Sequence, residues 1–135
     1  MKKLLYLLLA IPLIFSSCSK DNDTTYSIVG DWDMTAGVVN GENIFDTSRD
    51  PYIVSAGFDF NINGSYSQEF LDSHGYEITS TGTWAHHENT LTMTDSNTQE
   101  IENATVGTLN ENTLVLSSTY EEDGETFTGT LTFTR

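Results

Sequence analysis

Side chains able to ligate a metal or do covalent chemistry are few in this chain, and their spacing is unhelpful to both. His86 and His87 are neighbours with Glu88 after them. On an extended strand His86 and His87 face opposite sides, and His86 with Glu88 supplies fewer ligands than a zinc site needs. Asp31 and Asp33 share one strand face, and Glu121, Glu122, Asp123 and Glu125 crowd one hairpin. Neither set has the loop spacing that wraps calcium in oxygens, so both read as solvated acidic surface. No serine lies on an elbow motif, and no histidine has an orienting carboxylate at a telling distance in sequence. The expectation is therefore no metal, no cofactor and no enzyme.

A different set of residues could bind rather than react. Read with a period of two, Phe58, Phe60, Tyr66, Phe70, Tyr76, Ile78, Met93, Leu116 and Phe127 fall on one side of successive strands, together with the polar Gln68, Ser80, His86, Ser118 and Tyr120. Aromatic walls with a few placed polar groups are the usual lining of a small-molecule pocket. Phe58, Phe60, Tyr66, Phe70, Tyr76, Ile78, His86, Met93, Leu116, Tyr120 and Phe127 are thus the candidate ligand-binding residues, and the ligand class is a small apolar or amphipathic molecule. The competing reading is a filled interior whose polar groups satisfy one another or hold buried water, the protein then acting as an interaction or scaffold module through its outer surface.

The elements that must position these residues are strands. From Ser27 onward about 110 residues alternate apolar and polar, broken every eight to twelve positions by turn residues, and no helical periodicity of useful length occurs. The expected strands run from Ser27 to Val39, Ile53 to Ile62, Ser65 to Leu71, Tyr76 to His86, briefly around Leu91 and Met93, Gln99 to Leu109, around Leu114 to Tyr120, and Phe127 to the end. Glu42 to Phe45 forms a short extension after the Asn40-Gly41 turn, and Asn63-Gly64 and Asp123-Gly124 read as two-residue hairpin turns. Within Gln99 to Leu109 the apolar residues change phase, which predicts a bulge or a two-sided environment. Eight sequential antiparallel strands predict an all-β, up-and-down barrel, whose even count lets first and last strands pair and removes both edges.

The closure is expected to rest on the two ends. Ile28, Gly30, Trp32 and Met34 share the inward face of the first strand, and Phe127, Gly129, Leu131, Phe133 and Arg135 that of the last. An arginine on an apolar face needs a partner, and the Trp32 indole is a good one. Gly30, Trp32 and Arg135 are the candidate structural residues. Gly30-Asp31-Trp32 at the start of the first strand, the strand count and the inward arginine at the end together resemble the lipocalin-like branch of the calycin barrels found in small bacterial lipoproteins. The resemblance covers Ser27 to Arg135 and implies a barrel that binds small apolar molecules. The chain departs from longer members in having no helix after the last strand.

Residues 1–17 have the layout of a secretory signal: Lys2 and Lys3, an apolar run from Leu4 to Phe15, then small residues. Those twelve apolar residues are fewer than the roughly 20 a bilayer span needs. Cys18, the sole cysteine, excludes an intramolecular disulfide. Its place resembles the lipobox of lipoproteins, with Phe15 and Ser17 departing from the commonest form. That implies acylation at Cys18, with palmitate-type chains holding the protein to the outer membrane, and residues 18–26 as a flexible tether to the domain at 27–135. Without residues 1–17, three Lys plus Arg stand against 20 Asp plus Glu, a net charge of −17. Such a surface excludes nucleic acid as a partner. A monomer is expected.

Overall fold

The computed structural model describes residues 26–135, and along them the turns decide where strands stop. β1 (Gly30–Val39) ends at Asn40-Gly41, whose φ angles of 51° and 81° belong to a two-residue hairpin turn, and the chain returns as the two-residue β2 (Glu42–Asn43). β3 (Ile53–Phe60), β4 (Ser65–Asp72), β5 (Glu77–His87), β6 (Thr90–Asp95), β7 (Ile101–Leu109), β8 (Thr113–Glu122) and β9 (Glu125–Thr134) follow, with no helix among the described residues. Asp123-Gly124, at φ 52° and 81°, makes the same kind of turn between β8 and β9.

Asn63-Gly64 does not. Gly64 alone has positive φ, at 85°. The Asn61 carbonyl accepts the Gly64 N–H at 3.0 Å, and the Asn61 N–H donates to the Ser65 carbonyl at 2.8 Å. The Asn63 carboxamide oxygen takes the Ser65 N–H at 2.9 Å, and this local bond favours a wider turn over two more rungs of ladder. β3 therefore ends at Phe60 rather than Ile62, and Ile62 stands 90% exposed at the turn tip rather than on the inner face.

Every neighbouring pair is antiparallel in the order β2-β1-β3-β4-β5-β6-β7-β8-β9, and β1 also pairs with β9. This closes an eight-stranded barrel to which β2 adds a short ribbon. β1 does the closing by splitting its length: Gly30 to Asp33 pair with β3, placing Trp32 opposite Phe58, and Asp33 to Val39 pair with β9, placing Met34 opposite Phe133. Where β1 leaves β3, the Ile53 N–H donates to the Ile44 carbonyl at 2.9 Å and fills the gap. The phase change in β7 is a bulge, a register shift between Val106 and Thr108. It lets Ala104, Val106 and Leu109 all pack inward.

The core gathers at one end, which is the floor of the barrel. Trp32, Phe60, Leu91, Leu114 and Phe133 are fully enclosed there. Phe58 stacks on Phe60 with ring centroids 5.3 Å apart, and Trp84 meets Phe60 edge-on at 5.6 Å. The Trp32 indole N–H donates to the Ile28 carbonyl at 2.7 Å, so the largest buried ring leaves no polar atom stranded. Arg135 then covers it, its guanidinium carbon 4.2 Å from the ring centroid. Gly30 permits this, since its φ of 129° suits only glycine and a Cβ there would approach the Arg135 Nη1 at 3.2 Å.

Candidate ligand-binding cavity

At the end away from the floor the inward-facing side chains no longer meet. β4 and β5 bring Gln68 opposite Ser80, β6 and β7 bring Met93 opposite Glu102, and β8 and β9 bring Leu116 opposite Leu131. Between them lies a cavity of about 430 Å³ lined by Phe58, Gln68, Met93, Glu102, Ala104, Leu116, Ser118, Tyr120 and Leu131, with Ile101, Asn103 and Thr119 at its edge. A smaller recess of about 100 Å³ adjoins it, sharing Gln68, Met93 and Glu102 and adding Tyr66, Ser80, Asp95, Thr98 and Glu100.

The barrel wall thins beside this cavity. β7 and β8 pair only from Thr105 to Leu109 against Leu114 to Ser117. Above that, Ile101 to Ala104 pair with β6 alone and Ser118 to Glu122 with β9 alone. The two unpaired segments are the ones that border the cavity, so the seam between them is its side entrance. Tyr120 and Phe127 flank it, stacked at 5.0 Å with Tyr120 51% exposed.

The predicted binding residues divide along the barrel axis. Phe58, Met93, Leu116 and Tyr120 line the cavity, and Tyr66 lines the recess. Phe60 is wholly buried in the floor. His86 sits opposite Leu91 near that floor, with its Nε2 buried and unpartnered among the described residues, and touches neither space. Phe70 pairs with Ile78 near the rim, where Tyr76 and Ile78 are exposed, and Phe127 serves by holding Tyr120 rather than by lining the cavity. Glu102, Ala104 and Leu131 line it without having been singled out. The signal for the first two was the phase change in β7, which a single bulge explains only once its position is known.

The interior is polar on one side. Ser80 Oγ donates to the Gln68 carboxamide oxygen at 3.3 Å. The Asp95 carboxylate accepts the backbone N–H groups of Asn97 at 2.7 Å and Thr98 at 2.9 Å, which hold it below the usual carboxylate range. Burial pushes the Tyr66 hydroxyl above the ordinary tyrosine value, and the Asp95 and Glu102 charges push it further. A Cβ at Gly82 would strike both the Thr94 carbonyl oxygen and the Tyr66 ring, so glycine here lets that ring lie flat over β5. Among the described residues no group of three His, Cys, Asp or Glu converges as metal ligands would.

A family profile described as a lipocalin-like domain matches residues 28–116, from the buried Ile28 to the cavity-lining Leu116. The chain belongs to the lipocalin-like family. No curated protein matches it. Lipocalin-like barrels are in general ligand-binding rather than catalytic proteins, and in this one the matched segment carries six of the long strands, the start of β8 and most of the cavity wall, while Ser118, Tyr120, Leu131 and the Trp32 cover Arg135 come from the rest of β8, β9 and the chain end beyond the match.

Proposed function

We propose that this lipocalin-like protein is a lipid-anchored envelope protein that holds a small apolar or amphipathic molecule in the open end of its barrel. The observation that carries the reading is the cavity of about 430 Å³, which exceeds the roughly 300 Å³ at which small-molecule pockets begin. Phe58, Met93, Leu116 and Leu131 give it apolar walls, and Gln68, Ser118 and Glu102 give it a few polar groups to orient a ligand. A filled barrel acting only as a scaffold has no use for that void.

The anchoring half of the proposal concerns residues 1–25, which lie outside the described residues. Residues 1–17 act as the signal, acylated Cys18 fixes the protein to the outer membrane, and residues 18–26 tether a monomeric barrel to it. Native mass spectrometry of protein purified from cells tests the ligand half directly. A bound mass that disappears on denaturation is expected, and a clean apo mass together with failure to take up N-phenyl-1-naphthylamine would overturn it.

A second reading, an interaction surface, draws on a shallow concavity of about 600 Å³ on the outer face of β1, β3, β4 and β5, where Asp31, Asp33, Asp59 and Glu69 stand among serine and threonine. Crosslinking in intact cells that captures one partner through these residues would favour it.

A further inference from the structure

Among the described residues, Asp95, Glu100 and Glu102 line the cavity and its adjoining recess, and no Lys, Arg or His does. The two described arginines are committed elsewhere, Arg49 to Glu42 at 2.8 Å and Arg135 to the Trp32 ring. Asp95 is occupied by the Asn97 and Thr98 backbone N–H groups, and Glu100 accepts the Thr98 hydroxyl at 3.4 Å. Glu102 is the one carboxylate common to both spaces, and among the described residues nothing bonds to it.

We propose that the ligand is a cationic amphiphile, an apolar chain or ring system bearing one ammonium-type or guanidinium-type group, seated with its body against Phe58, Met93 and Leu116 and its charge against Glu102. This rests on the binding reading above and specifies the ligand within it. An anionic amphiphile, such as a fatty acid, would bring its carboxylate to Glu102 with no cation among the described lining residues to neutralise either group, whereas a cation pairs with Glu102, the lining carboxylate left unengaged among the described residues. The Tyr120 ring at the entrance and the Phe58 and Tyr66 faces inside are surfaces on which a cation is stabilised rather than repelled. Burial is the main cause that raises the Tyr66 hydroxyl, and the nearby Asp95 and Glu102 charges add to it. The net charge of −15 over the whole chain draws cations toward the barrel before they reach the seam.

The test is competition for N-phenyl-1-naphthylamine by three probes with one chain length, n-decyltrimethylammonium, n-decanoate and n-decanol, each below its micelle-forming concentration. The ammonium should displace the dye at a concentration at least about tenfold lower than the carboxylate, a difference of about 1.4 kcal/mol. Glu102→Gln should bring the ammonium and the carboxylate together. Asp31→Asn, which removes a charge from the outer face, should leave the preference intact. If Glu102→Gln does not fold, Ser118→Lys, at a half-buried position of the cavity wall, gives the complementary reading and should abolish the preference for the ammonium. Equal displacement by ammonium and carboxylate, with decanol still competing, would overturn the charge preference and leave ligand binding standing. So would equal loss in Glu102→Gln and Asp31→Asn. No uptake of the dye by the parent protein would overturn both.

Discussion

The Arg135 guanidinium carbon stands 4.2 Å from the centroid of the Trp32 ring, while its Nε donates to the Glu111 carbonyl at 2.7 Å and its Nη1 to the Val29 carbonyl at 2.8 Å. One side chain at the chain end thus ties together the entry to β1, the loop before β8 and the ring that plugs the floor. The barrel needs such a tie because β1 shares itself between β3 and β9, and each pairing alone uses only part of its length.

Trp32→Ala should cost about 3 to 5 kcal/mol, the range for emptying a large aromatic from a closed core. Arg135→Ala should cost less, about 1 to 2 kcal/mol, from loss of the stacked cation and its carbonyl bonds at a position open to water. Urea midpoints of the two variants give both values. Midpoints equal to the parent's would contradict this account of the closure.

Gly82→Ala should cost about 1 to 3 kcal/mol, because the added methyl must displace both the Thr94 carbonyl and the Tyr66 ring. Thermal unfolding checks the loss. Near-ultraviolet circular dichroism should also change, since Tyr66 packs at 6.2 Å from Phe58 and 6.4 Å from Phe60.

Strand number and order were legible in the sequence because each strand alternates cleanly and most end at residues such as Asn40-Gly41 or Asp123-Gly124. The indole and guanidinium at the two ends were legible for the same reason, face assignment. Height along the barrel was not. Phe60, Phe70 and Phe58 share a face, yet one is floor, one is near the rim and one is cavity wall, because that placement follows from register between strands and alternation carries no register. Glu102 escaped notice because the bulge at Gly107 shifts the inward phase of β7, and a carboxylate on an inward position looks like surface until the shift is located.

Acid should weaken the fold partly through Asp95 and Asp46. Backbone N–H groups of Thr98 and Asn97 hold the first carboxylate below its usual range, and the Ser48 N–H does so for the second. Their folded pKa values are depressed, so the unfolded chain takes up these protons first. The stability they contribute is complete above about pH 4 and drains as pH falls through the folded values. Asp95→Asn keeps the acceptor oxygen and removes the titration, so urea midpoints followed from about pH 5 down to about pH 2.5 should fall less steeply than in the parent. Parallel slopes would contradict the assignment.

Cys18→Ala should shift the protein from the membrane fraction to the soluble fraction of disrupted cells, without altering the unfolding midpoint of the barrel. Retention in the membrane would contradict anchoring through this cysteine.

The most direct measurement is a fluorescence titration of N-phenyl-1-naphthylamine into the parent barrel and into Ser118→Trp, a variant whose indole occupies the cavity beside Leu116 and Tyr120 where Gly129 opposite leaves it room. The account predicts saturable uptake by the parent and affinity at least about tenfold weaker, or about 1.4 kcal/mol, in the variant, with unchanged far-ultraviolet circular dichroism. No saturable uptake by the parent, or equal uptake by both, would contradict it.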